Sequence, residues 1–132
     1  PDQLTASYYP AGAGIPPHVD SHQAFGDTVY SLSLGSPIMM ELRPASEATS
    51  TTRPAVVIDL PPRSLLVMRD DARYLWEHCI RARHSDILPS GQLRPRCPRV
   101  SLTMRPINRR GRCNCPWPTI CQLRNKGLPA RD

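Results

Sequence analysis

The chain has 132 residues, with 16 prolines and a single phenylalanine, and this composition argues against a helical bundle because proline breaks helices but is tolerated at turns and sheet edges. No apolar run approaches the roughly 20 residues that a membrane-crossing helix needs, so no membrane partner is expected. The net charge of +6, carried almost wholly by arginine, favours an anionic partner, nucleic acid above all, although a solvated arginine-rich surface would give the same charge.

The N-terminus has neither an initiator methionine nor the basic and apolar stretches of a signal peptide. We therefore expect a piece of a longer protein. Five cysteines without a secretion signal argue against a disulfide framework and predict a reducing compartment, the cytoplasm or the nucleus.

Short strand-like segments separated by turns follow one another along the chain. A strand is predicted over 4–9, then a Gly- and Pro-rich loop over 11–17. Residues 28–34 alternate with Thr28, Tyr30, Leu32 and Leu34 on one face. A turn at 35–37 leads to a second strand over 38–42, so the two strands are predicted to form a hairpin.

The second half continues this pattern of strands and turns. A polar loop is predicted over 43–53, a buried strand over 55–60, another strand over 64–68, a helical turn or irregular segment over 70–77, a proline-containing loop over 85–98 and a strictly alternating strand over 99–105. No internal repeat or βαβ rhythm is present, so the chain is predicted to be an all-β sandwich or barrel. We expect a core domain over 1–106 and a basic, Cys-rich tail over 107–132.

An HxD triplet, His18-Val19-Asp20, is a candidate metal site. On an extended backbone residues i and i+2 point the same way, so one imidazole and one carboxylate can hold one ion. A second histidine would complete the two-histidine, one-carboxylate set that suits non-haem Fe(II). His78 is the favoured third ligand and His84 is its rival; a surface histidine is the alternative.

The strand over 99–105 places Arg99, Ser101, Thr103 and Arg105 on one face. Two arginines facing a pocket are costly without an anion, and the guanidinium fork matches a dicarboxylate such as 2-oxoglutarate. A solvated strand face would explain the same spacing.

The tail offers three thiols within nine residues, Cys113, Cys115 and Cys121. Three thiolates and one further ligand form a common tetrahedral zinc site, which would be structural because no position stays open. The fourth ligand is left open between His22, His84 and Cys97, and free cysteines are the alternative.

Taken together, HxD, a distant histidine and two arginines six residues apart resemble the pattern of the AlkB family of Fe(II)- and 2-oxoglutarate-dependent dioxygenases. The stretches YPAGAGIPPHVD (9–20), VYSLSLGS (29–36), RSLLVM (63–68) and RYLWEHCI (73–80) resemble that family in the same order. The resemblance is nearest to the branch that hydroxylates a modified wobble uridine in tRNA, and it covers nearly the whole chain.

The resemblance implies a double-stranded β-helix, or jelly-roll, with the N-terminal part of the family domain absent. It implies that iron is bound by His18, Asp20 and His78, and that 2-oxoglutarate is held by Arg99, Tyr9 and Arg105. It favours His22 as the fourth zinc ligand. Two positions depart from the family: Ser7 stands where a cosubstrate-touching asparagine is usual, and Cys79 stands where glycine usually follows the distal histidine.

Three functions stay open from the sequence. The first is hydroxylation of a modified wobble uridine in tRNA, the second is oxidative demethylation of alkylated DNA or RNA bases, and the third is a catalytically weak, zinc-stapled RNA-binding remnant. The arginines predicted to track phosphates are Arg81, Arg83, Arg94, Arg96, Arg109, Arg110 and Arg112.

Overall fold

The structure, a computed structural model, describes residues 1–45, 54–109, 113, 115–118 and 120–121. These residues are mostly strand, as the alternation predicts, with one four-residue helix, which has neither the length nor the apolar character to cross a membrane. The elements are β1 Gln3–Tyr9, β2 Ile15–His18, β3 Thr28–Gly35, β4 Ile38–Pro44, β5 Val56–Leu60, β6 Leu65–Arg69, α1 Asp71–Tyr74, β7 Trp76–Ile80, β8 Ser85–Ile87, β9 Leu93–Pro95 and β10 Arg99–Arg105.

Two four-stranded antiparallel sheets face each other. The first sheet has the order β1-β10-β3-β6 and the second has the order β2-β7-β4-β5. Successive strands of these two sheets alternate between them, except that β4 and β5 are neighbours in the second sheet; β8 and β9 form a separate two-stranded sheet. This alternation brings distant parts of the chain to one interior cleft.

The hairpin predicted from residues 28–42 is wrong, because β3 lies in the first sheet and β4 in the second. Gly35 has a φ of +84°, and a Cβ there would lie 2.8 Å from the carbonyl oxygen of Pro98. The next amide, that of Ser36, donates to the same Pro98 carbonyl at 3.1 Å. The turn is thus bound to the start of β10, and it passes the chain between the sheets instead of folding it back.

Two segments predicted as loops contain strands. Residues 15–18 form β2, whose two prolines are tolerated because β2 is an edge strand. Residues 85–95 form the β8–β9 hairpin, closed by hydrogen bonds between Leu88 and Gln92 and between Gly91 and Leu88. Strands of three or four residues that contain proline are hard to predict from sequence, because so few residues cannot establish an alternation of apolar and polar side chains.

The segment predicted as a buried strand over 55–60 is instead the exposed edge strand β5, in which Val56 and Val57 are 45% and 49% exposed. An apolar run alone does not distinguish an edge strand from a central one. Of the polar loop predicted over 43–53, residues 43 and 44 continue β4, and 46–53 lie outside the described residues.

The two sheets contribute different chemistry to the interior. The second sheet supplies an apolar cluster of Ile38, Met40, Leu60 and Ile80. The first sheet turns small hydroxyl side chains inward, since Ser31 and Ser33 on β3 are buried, whereas the apolar residues that alternate with them are only half-buried on its outer face. The first sheet also buries Val29 and Met68, so its inner face is mixed, whereas the cluster from the second sheet is wholly apolar.

Candidate metal centres and cleft

Three metal-ligand side chains meet at one end of the second sheet. His18 ends β2, Asp20 follows two residues later, and His78 lies on β7 directly opposite His18 in the strand register. One ligand atom from each lies within 4.8 Å of the other two, and the two imidazole ring centroids are 4.2 Å apart. The HxD spacing and antiparallel pairing together produce this cluster, which we call the His–Asp–His site.

The His18 ring is oriented by its own strand. Its Nδ1 lies 2.9 Å from the carbonyl oxygen of Pro16, and because a carbonyl only accepts, Nδ1 must carry the proton. The Nε2 lone pair is then available to a metal, and a ligating histidine usually donates its other ring N–H to a carbonyl or carboxylate in this way.

His78 is buried, and burial, followed by the neighbouring His18 ring, lowers its pKa to about 4. Its imidazole is therefore neutral at neutral pH, the protonation state that a metal ligand needs.

Arg105 holds the carboxylate of Asp20. Its Nε donates to one Asp20 oxygen at 3.1 Å and its Nη2 donates to the other at 3.2 Å. The guanidinium also lies 4.8 Å from the ring centroid of Phe25. This bidentate contact fixes the direction of the Asp20 carboxylate oxygens.

A cleft of about 180 Å³ lies between the sheets beside the His–Asp–His site. The strand register arranges the first sheet's inner face in rows: Tyr9 is opposite Arg99, Ser7 is opposite Ser101, and Thr5 is opposite Thr103. The second sheet lines the cleft with Met40 and Ile80. A polar floor with an arginine near each end suits an elongated ligand that carries negative charge at both ends.

Of the two arginines that line the cleft, Arg99 is the one without a carboxylate partner among the described residues. It is 3% exposed, its Nη2 donates to the hydroxyl of Ser33 at 2.8 Å, and the centre of its guanidinium lies 5.5 Å from the Tyr9 ring centroid. Its buried Nε has no hydrogen-bond partner among the described residues. Burial lowers the Arg99 pKa, and a carboxylate in the cleft would offset that cost and satisfy the Nε.

A second metal-ligand cluster gathers His22, Cys113, Cys115 and Cys121, whose ligand atoms all lie within 4.8 Å of one another. Cys115 Sγ is 3.8 Å from His22 Nδ1, and Cys121 is fully buried. We call this the Cys–His cluster. Three sulfurs and one imidazole nitrogen are a donor set that zinc accepts in tetrahedral sites.

The structure separates the rival ligands from both clusters. His84 packs against Gly12, where a Cβ would lie 2.7 Å from the His84 ring, and it belongs to neither group of ligand atoms described. Cys97 is exposed, and its amide donates to the hydroxyl of Ser36.

The side chain of Cys79 lies on the outer face of the second sheet, away from the His–Asp–His site. It is opposite Glu41 in the register, and its Sγ lies 3.9 Å from a Glu41 carboxylate oxygen. Burial and the Glu41 charge raise the Cys79 pKa. The departure from glycine at this position therefore does not crowd the interior.

Several arginines predicted to track phosphates have carboxylate partners. Arg81 pairs with Glu41, Arg94 with Asp59, and both Arg83 and Arg96 with Asp86. The prediction is wrong for Arg96, whose side chain is 2% exposed and held in the interior. Arg109 pairs with Asp2 and stays 76% exposed. Arg110 and Arg112 lie outside the described residues.

Two residues of the site were not predicted from the sequence. The hydroxyl of Ser31 lines the cleft, and the alternation of Ser with Leu in β3 was the available signal, although nothing local shows which face is inward. Arg73 is buried beside both clusters, and no local pattern distinguishes it from the other arginines.

The family profile described as the 2OG-Fe(II) oxygenase superfamily matches residues 1–105. The chain therefore belongs to the Fe(II)- and 2-oxoglutarate-dependent oxygenases, a class of dioxygenases, and its relatives show that it lies in the AlkB branch, as the motif pattern predicts.

Three relatives illustrate this similarity. The tRNA (carboxymethyluridine(34)-5-O)-methyltransferase ALKBH8 of Mus musculus is 39% identical over 144 residues, which cover 98% of this chain and 21% of the relative. The alkylated DNA repair protein ALKBH8 homolog of Arabidopsis thaliana is 40% identical, covering 91% of this chain and 38% of the relative. The probable RNA/DNA demethylase ALKBH6 of Danio rerio is 30% identical, covering 86% and 56%. The chain thus spans about a fifth of the mouse relative's length.

Proposed function

We propose that this chain is the catalytic core of an oxygenase that acts on nucleic acid, most specifically one that hydroxylates a modified wobble uridine in tRNA. The observation that carries the proposal is the His–Asp–His site beside a hydroxyl-lined cleft that ends in the unpaired Nε of Arg99. The tRNA substrate is supported by the name of the mouse relative, a tRNA-modifying protein.

In this proposal His18, Asp20 and His78 hold Fe(II), and Arg99 takes the distal carboxylate of 2-oxoglutarate with the Tyr9 hydroxyl nearby. Bound iron and 2-oxoglutarate supply, with oxygen, the oxidation of a substrate C–H bond to an alcohol. The residues of the chain orient and shield that chemistry.

Each residue has a separate task. The Pro16 carbonyl fixes the His18 tautomer, and Arg105 aligns the Asp20 carboxylate. The apolar side chains of Met40 and Ile80 exclude water from the second sheet's side of the cleft. Ser7, opposite Ser101, offers the cosubstrate a hydroxyl where an asparagine would reach farther.

We further propose that the Cys–His cluster binds a structural Zn²⁺. Four protein ligands leave no open coordination position, so the ion would stabilise the tail over 107–132 against the core over 1–106.

The alternation of successive strands between two facing sheets supports a double-stranded β-helix for the core over 1–106. Free thiols and a zinc–thiolate site fit a cytoplasmic or nuclear location.

A second candidate is oxidative demethylation of alkylated bases, which uses the same site on an N-methyl group. The similarity to the probable RNA/DNA demethylase of Danio rerio favours it. The third candidate is an RNA-binding remnant without turnover. A measurement of turnover distinguishes it from the two enzymatic candidates.

The test is succinate formation from 2-oxoglutarate with Fe(II) and oxygen, with product analysis on tRNA carrying a modified wobble uridine and on methylated oligonucleotides. We expect turnover with the tRNA, its reduction to background in His18→Ala, and unchanged turnover in the matched control His84→Ala. Hydroxylation of the methylated oligonucleotides alone would favour the demethylase. Folded protein without turnover on either substrate would contradict both enzymatic candidates.

A further inference from the structure

The two metal-ligand clusters share one short loop. Asp20 of the His–Asp–His site and His22 of the Cys–His cluster are separated only by Ser21. The loop over 20–26 is attached to the end of β10, because the Gly26 amide donates to the Pro106 carbonyl at 2.9 Å. Any shift of the main chain between Asp20 and His22 therefore reaches both clusters.

A single buried arginine holds that main chain. Arg73 on α1 is 2% exposed. Its Nη1 donates to the carbonyl of Asp20 at 2.8 Å and its Nη2 donates to the carbonyl of Ser21 at 3.0 Å. Its Nε donates to the carbonyl of Gly26 at 3.0 Å, and Nη2 also lies 3.4 Å from the carbonyl of Phe25. The fork thus spans the two peptide units that join an Asp20 ligand to a His22 ligand.

The partners of Arg73 are unusual for a buried cation. The hydrogen bonds described for its guanidinium all end on main-chain carbonyl oxygens, where a buried arginine more often pairs with a carboxylate. Burying a charge is costly, and the hydrogen bonds to these carbonyl oxygens offset that cost. The same hydrogen bonds hold the main chain of the loop over 20–26. Lysine has one ammonium and lacks the planar fork that binds both carbonyls at once.

The neighbours of Arg73 in sequence contact the same two clusters. The Tyr74 ring packs edge-on against the His22 ring, with centroids 4.9 Å apart, and lies 5.3 Å from the Trp117 ring centroid. His78 follows four residues later as a ligand of the His–Asp–His site. The segment from α1 to β7 therefore contacts the loop over 20–26 from both sides of Ser21.

We propose that Arg73 is a positioning residue that couples the two sites, so that zinc in the Cys–His cluster tightens metal binding at the His–Asp–His site. The proposal rests on the metal roles given above. Zinc fixes His22, the Arg73 fork transmits that restraint to the Asp20 main chain, and Asp20 then needs less ordering when it binds its own metal. By linkage, metal at the His–Asp–His site strengthens zinc binding by the same factor.

The test measures Mn²⁺ affinity, without any turnover, by the electron paramagnetic resonance signal of free Mn²⁺. Mn²⁺ binds nitrogen and oxygen ligands such as those of the His–Asp–His site, whereas Zn²⁺ added at one equivalent binds preferentially to the thiolates of the Cys–His cluster. For the full chain we expect Mn²⁺ to bind at least about fivefold tighter with one equivalent of zinc than without it, the lower end of typical couplings.

Arg73→Lys is the variant that tests the fork, with Arg69→Lys as its matched control. Arg69 ends β6, and its side chain is 76% exposed, 3.8 Å from Asp70. We expect the zinc-dependent ratio of Mn²⁺ affinities to fall within twofold of unity in Arg73→Lys and to keep its wild-type value in Arg69→Lys. An unchanged ratio in a folded Arg73→Lys protein would overturn the proposal.

A measurement on the wild-type chain covers the case in which Arg73→Lys does not fold. Exchange of the Arg73 Nε–H with solvent, followed by nuclear magnetic resonance, is expected to slow when zinc is added, because the loop over 20–26 then opens less often. Equal exchange rates with and without zinc would contradict the coupling. Failure of Mn²⁺ to bind under any condition would contradict a metal role for the His–Asp–His site. Tight Mn²⁺ binding with the same affinity with and without zinc would contradict only the coupling.

Discussion

Arg99 and Arg105 lie at the two ends of β10 and differ in what they hold. Arg105 has a carboxylate partner in Asp20, so its charge is compensated within the chain. Arg99 is buried, it donates to the Ser33 hydroxyl and lies near the Tyr9 ring, and its Nε lacks a hydrogen-bond partner among the described residues. The two arginines therefore differ in their environment: Arg105 aligns the Asp20 carboxylate, whereas the Arg99 guanidinium is available to an anion in the cleft.

Replacing Arg99 by lysine keeps the positive charge but removes the fork that binds a carboxylate in a bidentate way. We expect the KM for 2-oxoglutarate to rise at least about tenfold, since a hydrogen bond to a charged group contributes about 1.5–3 kcal/mol. Mn²⁺ affinity should stay unchanged because no ligand of the His–Asp–His site is altered.

Arg94→Lys is the matched control for this change, because Arg94 makes a bidentate contact with Asp59 outside the cleft. Steady-state kinetics and Mn²⁺ titration of both variants check the prediction. An unchanged KM in Arg99→Lys, or an equal rise in Arg94→Lys, would show that Arg99 does not bind the cosubstrate.

At the scale of elements, the β8–β9 hairpin is attached to the second sheet through one buried carboxylate. Asp86 is fully buried, and it accepts from the guanidinium groups of Arg83 and Arg96 and from the amide of Met39 on β4. Arg96 also donates to the carbonyl of Arg81 just after β7. Arg83 and Arg96, which the sequence suggested as phosphate contacts, therefore form hydrogen bonds within the fold instead.

Asp86→Asn tests this attachment. It weakens the ion pairs of three guanidinium groups with one buried carboxylate, and breaking a buried ion pair typically costs about 3–5 kcal/mol in the free energy of unfolding. Asp70→Asn is the control, because the Asp70 side chain is 88% exposed and 3.8 Å from the exposed Arg69, and an exposed pair contributes only about 0–1 kcal/mol. Urea denaturation of both variants measures the difference, and equal losses would contradict the structural role of Asp86.

The same carboxylate sets a pH dependence. Burial alone would raise the Asp86 pKa, but the hydrogen bonds from Arg96, the Met39 amide and Arg83 outweigh it, so the folded-state pKa lies below the ordinary value. Its stabilising contribution is therefore fully present above the unfolded-state pKa of about 3.9 and is lost as the pH falls through the folded-state value. We expect the stability difference between wild type and Asp86→Asn to shrink in that acidic range.

At the scale of the whole molecule, the Cys–His cluster joins Cys113, Cys115 and Cys121 to the loop beside the His–Asp–His site. Its three cysteines are buried, and Tyr74 and Trp117 pack against them. A metal that binds the folded chain more tightly than the unfolded chain stabilises the fold by mass action.

Cys121→Ser is therefore expected to lower the Tm of the zinc-loaded protein by at least about 5 °C, because ligand saturation contributes about 2–3 kcal/mol at a hundredfold excess over Kd. Cys97→Ser is the matched control, since Cys97 is exposed and apart from the cluster. Differential scanning calorimetry with and without a chelator checks both variants. A chelator should lower the wild-type Tm to near that of Cys121→Ser. A wild-type Tm that does not change when the chelator is added would contradict a zinc site.

The sequence by itself determined the mostly β character and the local chemistry of the site. Alternation with period two shows which residues share a strand face, which is why His18 with Asp20, and Arg99 with Arg105, were paired in advance. The close spacing of Cys113, Cys115 and Cys121 pointed to a metal for the same local reason. These inferences depend on residues that are near each other in the chain, so no long-range information was needed.

Only the tertiary structure decided which distant residues meet and which face of each strand is inward. It brought His78 rather than His84 to His18 and Asp20, and His22 to the cysteines. It also sent β3 and β4 to different sheets and turned the serines of β3 into the cleft. Each of these outcomes depends on strand pairing and burial between segments far apart in the chain, and local spacing is compatible with more than one such arrangement.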